Sequence, residues 1–158
     1  MEKFGLVVIG AHFGVWLNED LARFDKEQIL LVEPVPYNYK KLNERFINSN
    51  NVHICTNAIF SEYKTSKFYF VNENSISKLG KHWASGIGSF NKNHILDQRT
   101  KRFKIEDEDI DEIEIEFITF DSLIEKFEIE SIDKLQIDVE GAEYEILKSI
   151  NYKKTDIN

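Results

Sequence analysis

The chain has 158 residues, of which 42% are hydrophobic, and this is the length and core content of one domain, residues 1–158. Its formal charge of −8 comes from 28 acidic and 20 basic residues, and eight of the acids fall within residues 106–116. The remaining residues balance at 20 against 20, so the acidity is local. Binding to a nucleic acid needs clustered Lys and Arg, and the composition therefore argues against a nucleic-acid partner.

The sequence carries no sign of export or of a membrane. Cys55 is the single cysteine, so an internal disulfide is excluded and nothing indicates an oxidising compartment. The N-terminus, MEKFGLVVIG, lacks the basic region and longer apolar stretch of a signal peptide. No apolar segment approaches the ~20 residues of a membrane span. The sequence therefore predicts a soluble cytoplasmic protein without a membrane span.

Apolar runs alternate with helical patterns in the first 60 residues. Residues 6–9 and 29–32 are apolar at successive positions, which is typical of buried parallel strands. A helix is predicted to start at Pro36. Residues 52–54 then predict a third strand, with residues 58–60 as its exit. Strands that alternate with helices predict an α/β fold with a doubly wound, mostly parallel sheet.

The middle of the chain has a different pattern. After a predicted strand at residues 67–71, residues 72–98 are rich in turn formers and predict an active-site loop. Apolar and charged residues alternate at positions 103–105 and again at 113–117, which predicts two half-buried edge strands. We expect the first, which belongs to the basic segment 99–104, to lie against the acidic second one.

Two helices and a strand are predicted near the C-terminus. Thr119 is expected to cap a helix that reaches Phe127. Residues 135–139 predict a strand, followed by a helix whose buried face is formed by Tyr144, Ile146, Leu147 and Ile150.

The first segment with candidate chemistry is Gly10–Gly14, directly after the first strand. Glycines at this place allow a tight turn and the close approach of a ligand to the backbone. The G-x-x-x-G spacing differs from the G-x-G-x-x-G of dinucleotide enzymes, so a nicotinamide cofactor is disfavoured. A plain strand-to-helix turn is the alternative.

Two acids at predicted strand ends form the other candidates. Glu33 follows Gly10 by 23 residues, close to the interval at which an acid reaches ribose hydroxyls in Rossmann-type units; a solvated strand-end acid is the alternative. Asp138 is predicted near the carboxyl end of a central strand, where an ionised group needs a partner. For Glu143, shortly after it, we favour a simple helix-dipole role over a functional one.

Five stretches resemble, in order, the FkbM-type S-adenosylmethionine-dependent methyltransferases. They are VVIGAHFGVW, LLVEPVPYNYKKL, NAIFSE, GIGSFNKNHIL and ITFDSLIEKFEIESIDKLQIDVEGAEYEILKSI, and the D-V-E-G-A-E core of the last is specific. The resemblance implies a Rossmann-like sheet of the class I methyltransferase type. It also implies methyl transfer from S-adenosyl-L-methionine to a hydroxyl on a saccharide, a lipid-linked glycan or a related small acceptor.

The resemblance also implies a role for each candidate residue. The cofactor's methionine end is assigned to the loop residues Gly10, Ala11, His12 and Gly14; its ribose to Glu33; its adenine to Asn57 and Ala58; and the acceptor side to Asp138 and residues 88–94. A hydroxyl acceptor benefits from a general base, for which Asp138 and His94 are the candidates, with His12 and His82 behind them. The four histidines lack ligand spacing, so no metal site is predicted.

The chain departs from the family pattern at three places. Val8 stands where the family usually has an acid before the glycine loop, and His12 where it often has Asn. The family continues with further strands after the last helix, whereas the tail NYKKTDIN is too short for a strand, a crossover and another strand. We therefore expect a sheet without its C-terminal strands, in a chain that either self-associates through the exposed edge at residues 135–139 or is only marginally stable. A catalytically inactive fragment, or a nucleotide-binding module that retains the cofactor half, remains the alternative function.

Overall fold

The chain was analysed as a computed structural model that describes residues 2–80, 82–98 and 104–158, without the side chains of residues 82 and 83. The strands are β1 (Glu2–Ile9), β2 (Gln28–Val32), β3 (Val52–Cys55), β4 (Ala58–Ile59), β5 (Lys64–Val71), β6 (Gly88–Ser89), β7 (Ile110–Ile118), β8 (Ile129–Ile137) and β9 (Asp156–Ile157). The α-helices are α1 (Asn18–Arg23), α2 (Pro36–Arg45), α3 (Glu73–Leu79), α4 (Lys92–Leu96), α5 (Phe120–Lys126) and α6 (Glu143–Ser149). The chain divides into two compact units, one made of residues 1–64 and 116–158 and the other of residues 65–115.

The first unit contains a sheet of five parallel strands in the order β3-β2-β1-β8-β9. In the central strand β1, Leu6 and Val8 belong to one buried apolar cluster, and Val7 and Ile9 belong to another. Both faces of the strand are covered, which explains why apolar residues occur at successive positions. The predicted mixed α/β fold with a mostly parallel sheet is confirmed.

The sequence predicts residues 58–60 only as the exit of the third strand, but two of them form a strand of their own. Ala58 and Ile59 form β4, which pairs with Phe117 and Ile118 at the end of β7. In the second unit, β5 lies beside β7 and pairs in antiparallel fashion with β6. The short apolar segment that follows β3 is therefore a strand of a second sheet.

Residues 72–98 were predicted to form an active-site loop and not a core element. The exclusion from the core is wrong. These residues contain α3, whose cap Asn72 accepts a hydrogen bond from Ser75 N at 2.9 Å, and α4. Residues of this segment also contribute to the buried apolar cluster of the second unit. The members of the cluster are Val71, Ala84, Ile87, Ile95 and Ile105.

The acidic strand is confirmed as β7, but its expected basic partner is not found among the described residues. Ile105 is buried outside any strand, and Lys104 contacts the neighbouring Glu106 at 2.8 Å. The other basic positions of that segment, and Phe103, lie outside the described residues. Four acids of the run also pair with lysines of β5, α3 and α4. The pairs are Lys67–Glu112, Lys78–Glu108, Lys78–Asp109 and Lys92–Asp107.

The C-terminal elements differ in three ways from the prediction. Strand β8 covers Ile129–Ile137, and the tail supplies the short strand β9, which pairs with Ser131 and Ile132. The buried residues of the last helix are Ile146 of α6 and Ile150 directly after it, whereas Tyr144 and Leu147 are 69% and 43% exposed.

Thr119 caps α5 as predicted, because its Oγ1 accepts a hydrogen bond from Ser122 N at 3.1 Å. Within the described ranges, no helix combines the length and apolar character required to cross a bilayer.

Candidate functional site at the carboxyl edge of the sheet

The sheet places the predicted site residues of the first unit at one edge. Strands β1, β2, β3 and β8 are parallel, so the segments that follow them leave the sheet on the same side. Chain order proceeds from β1 outward to β3 on one side and resumes with β8 on the other. Such a reversal of strand order is where open α/β sheets bind their ligands.

Gly10 lies at this reversal and contacts the exit of β8. Its φ is +88°, and a Cβ added to it would lie 1.9 Å from the carbonyl oxygen of Asp138. The Asp138 N–H also donates to the Ile9 carbonyl at 2.9 Å. Glycine is required at position 10 because any side chain would separate the two strand exits.

The loop continues through two further residues in the left-handed region. His12 has a φ of 55° and Gly14 a φ of 76°. A Cβ at Gly14 would lie 3.1 Å from both Leu42 Cδ2 and Arg45 Nη1 of α2. The predicted tight turn at residues 10–14 is therefore present, and α2 packs closely beneath its end.

Glu33, directly after β2, is hydrogen-bonded to this loop. Its side chain is buried at 5% exposure. Oε2 accepts a hydrogen bond from His12 N at 2.8 Å, and Oε1 accepts one from Val35 N at 2.9 Å. The Asn38 side chain supplies a third hydrogen bond. The alternative of a solvated strand-end acid is wrong for Glu33.

Burial shapes the acidity of this group. Loss of solvent raises the pKa of Glu33 from its ordinary 4.5 to about 7, although the hydrogen bonds from Val35, His12 and Asn38 lower it. The charge of Glu33 therefore changes near neutral pH, while its position between loop and strand is set by backbone N–H donors.

Asn57 and Ala58 follow β3 and are held by their neighbours. Asn57 Oδ1 accepts from Lys126 Nζ at 2.8 Å, and Asn57 Nδ2 donates to the Glu116 carbonyl at 3.3 Å. Ala58 is buried within β4. Both residues thus have fixed positions beside the end of the third strand.

Asp138 is exposed just beyond the end of β8, so the expectation of an ionised group inside the sheet is wrong. The expected alternation of the strand is nevertheless confirmed, since Leu135, Ile137 and Val139 pack against one apolar cluster. The carboxylate of Asp138 is therefore accessible at the same edge as the glycine loop.

Sequence reasoning missed the part played by Glu143. Its Oε1 accepts from Val139 N and its Oε2 from Gly141 N, both at 3.0 Å. The turn between them contains Glu140 with φ 56° and Gly141 with φ 108°. The signal is an acid two residues after a glycine at a helix start, a pattern for which the sequence alone favours a helix-dipole role.

Val8, in place of the family's usual acid, lies in the apolar core. It is fully buried in the cluster that also contains Leu6, Leu31 and Leu42, and it pairs with Gln136 of β8. The end of β1 therefore contributes no carboxylate at this position.

His94 belongs to α4 of the second unit. Its Nε2 is buried and has no hydrogen-bond partner in the described part of the chain. The side chain of His82 lies outside the described residues. Among the residues that the structure describes, no group of three or more His, Cys, Asp or Glu side chains is arranged to hold a metal ion.

Comparison with known proteins identifies the family. A family model described as the methyltransferase FkbM domain matches residues 9–158. The chain belongs to the FkbM methyltransferase family. The matched range includes the glycine loop, Glu33 and Asp138, which lie at the edge described above. No curated protein and no solved structure matches the chain.

Proposed function

We propose that this FkbM family member transfers a methyl group from S-adenosyl-L-methionine to a hydroxyl on a saccharide or a related small acceptor, through a Rossmann-like sheet of the class I methyltransferase type. The observation that carries the proposal is the contact between Gly10 and the Asp138 carbonyl at the reversal of strand order. This is the position at which open α/β sheets bind nucleotide-like ligands. Both flanking segments lie within the FkbM match.

The residues at this edge fit such a cofactor. The loop of Gly10, Ala11, His12 and Gly14 would hold its methionine end. Asn57 and Ala58 would flank the adenine. A carboxylate has about four acceptor sites, and three hydrogen bonds already reach Glu33. One site remains, which suits a single bond from a ribose hydroxyl rather than the bidentate contact that two hydroxyls would make.

The division of labour follows from the chemistry. S-adenosyl-L-methionine supplies a methyl group that is already activated on a sulfonium. The protein's own residues then mainly align the acceptor oxygen and exclude water. A hydroxyl acceptor must lose its proton as the new bond forms. The exposed carboxylate of Asp138 is our first candidate for accepting it, and His94 is the second.

We also propose an acceptor class, a cellular location and an oligomeric state. The charge balance argues against a nucleic acid, and we propose that the acceptor is a small molecule or a glycan in the cytoplasm. Strand β8 pairs with β9 only at Ser131 and Ile132. We therefore keep self-association through the rest of this edge as a proposal, which light scattering of the purified chain tests.

Calorimetry with S-adenosylhomocysteine tests the cofactor site. Glu33→Ala should weaken binding tenfold or more, because a hydrogen bond to a charged group contributes about 1.5–3 kcal/mol and the loop loses its fastening. Glu44→Ala, which removes an exposed acid of α2, is the matched control and should bind normally. Unchanged affinity in Glu33→Ala would refute the assignment, and absence of binding to the wild type would refute the cofactor.

Asp138→Asn separates binding from chemistry. The substitution keeps the shape of an exposed side chain and removes its charge. We expect normal affinity for S-adenosylhomocysteine and loss of methyl transfer to a hydroxyl acceptor. Full transfer activity in the variant would contradict a role for Asp138 as the base.

A further inference from the structure

The turn that follows β8 combines two left-handed residues with one carboxylate. Glu140 and Gly141 have φ values of 56° and 108°. Glu140 is the less favourable of the two because its Cβ is crowded in this conformation. Such a conformation persists only where the surrounding structure determines it.

The carboxylate of Glu143 holds the turn in this conformation. Its two oxygens accept hydrogen bonds from Val139 N and Gly141 N, each at 3.0 Å, so they grip the backbone on either side of Glu140. The side chain is half-buried, whereas Glu145 on the same helix is exposed. Charge-assisted bonds of this kind are stronger than bonds between neutral groups.

The same turn begins at the residue that touches the glycine loop. The Asp138 carbonyl lies where a Cβ of Gly10 would stand, and the Asp138 N–H donates to the Ile9 carbonyl at 2.9 Å. A shift of the turn would therefore move both the exposed Asp138 carboxylate and the wall of the loop.

We propose that Glu143 is a positioning residue, which holds the turn after β8 so that Asp138 and Gly10 keep the geometry needed for cofactor binding and methyl transfer. The proposal deepens the proposed function and rests on it for the binding readout. It goes beyond the helix-dipole interpretation, since the Glu143 oxygens bond to the turn and not only to the helix start.

The first test is Glu143→Gln with Glu145→Gln as the matched control. Glutamine offers one acceptor oxygen, and its amide group faces the other N–H donor. We expect S-adenosylhomocysteine to bind Glu143→Gln at least tenfold more weakly at a temperature at which both variants remain folded by circular dichroism. Equal affinity of Glu143→Gln and the wild type would overturn the proposal.

A second readout needs no ligand. In ¹H–¹⁵N spectra, Glu143→Gln should shift the amide resonances of Val139 and Gly141 and also those of Asp138 and Gly10. Shifts confined to the residues of α6 would mean a helix-cap role and would overturn the proposal. If the wild type fails to bind S-adenosylhomocysteine, the proposed function fails, and these spectra still decide whether Glu143 positions the edge.

Glu143→Asp covers the case in which Glu143→Gln does not fold. Aspartate keeps the charge but is one methylene shorter, so it reaches only one of the two N–H donors. We expect a smaller but measurable loss of S-adenosylhomocysteine affinity, with shifts at Asp138 and Gly10. Wild-type affinity together with unshifted Asp138 and Gly10 resonances would overturn the proposal.

Discussion

Replacement of Gly10 by alanine tests whether the contact between the exits of β1 and β8 determines the geometry of the edge. The new Cβ would lie 1.9 Å from the Asp138 carbonyl oxygen and 2.8 Å from its carbon, at a φ of +88°. The left-handed conformation alone costs a non-glycine residue about 1–2 kcal/mol. Relief of the overlap requires the strand exits to separate, and overpacking of this kind costs about 1–3 kcal/mol more.

Gly80→Ala separates these two contributions. Gly80 also has a positive φ, +61°, but a Cβ there would meet nothing within 4 Å. Gly80→Ala should therefore lose only the conformational part, and Gly10→Ala should lose about 2–5 kcal/mol in total. Urea denaturation followed by circular dichroism measures both. Equal losses in the two variants would refute the argument that the Asp138 carbonyl requires glycine at position 10.

Removing the charge of two other buried acids should change the free energy of unfolding in opposite directions at pH 8. The pKa of Glu33 is raised from 4.5 to about 7, so its protonated form stabilises the fold at low pH and that contribution is lost as pH rises through 7. Between pH 4.5 and 8 the wild type should lose about 3 kcal/mol relative to Glu33→Gln, and parallel stability profiles in denaturant would contradict this. Asp109→Asn should cost about 2–4 kcal/mol of unfolding free energy, because buried Asp109 accepts from Ser75 Oγ at 2.7 Å and from Lys78 Nζ at 3.0 Å. The exposed Asp111→Asn is its control in the same assay, and equal losses would contradict the role of burial.

The parallel sheet was predictable because its signal is local. Residues 6–9 and 29–32 are apolar at successive positions, and the structure explains this by covering both faces of β1. The start of α2 at Pro36 was equally legible, since proline suits the first turn of a helix. Patterns within one segment are enough for predictions of this kind.

The failures occur where distant segments decide the outcome. Residues 72–98 contain many turn formers, yet Asn72 and Asn91 act as helix caps there, and the apolar residues between them join a buried cluster. Among the described residues, the acidic run pairs with lysines of β5, α3 and α4 as well as with Lys104 of the adjacent basic segment. Proximity in sequence therefore predicts only part of this charge pairing.

The sequence predicted where the candidate residues lie in the sheet, but it did not predict which hydrogen bonds their carboxylates make. Strand-end location singled out Gly10, Glu33 and Asp138, and all three lie at the carboxyl edge of one parallel sheet. The hydrogen bonds to backbone N–H groups, however, depend on loop conformations that no spacing rule encodes. For this reason the sequence predicted Glu33 as a ribose-binding or a solvated acid and favoured a helix-dipole role for Glu143, and it missed the backbone hydrogen bonds of both.

Glu33 and Glu143 perform the same task on the two sides of the strand reversal. Each carboxylate accepts two backbone N–H groups: Glu33 those of Val35 and of His12, which has a positive φ, and Glu143 those on either side of Glu140, which also has a positive φ. One such conformation costs about 1–2 kcal/mol, and the two hydrogen bonds to the Glu143 carboxylate, at about 1.5–3 kcal/mol each, outweigh that strain. These hydrogen bonds occupy part of the acceptor capacity of both carboxylates. Asp138 is exposed between these two turns, and we propose it as the carboxylate that acts on an acceptor.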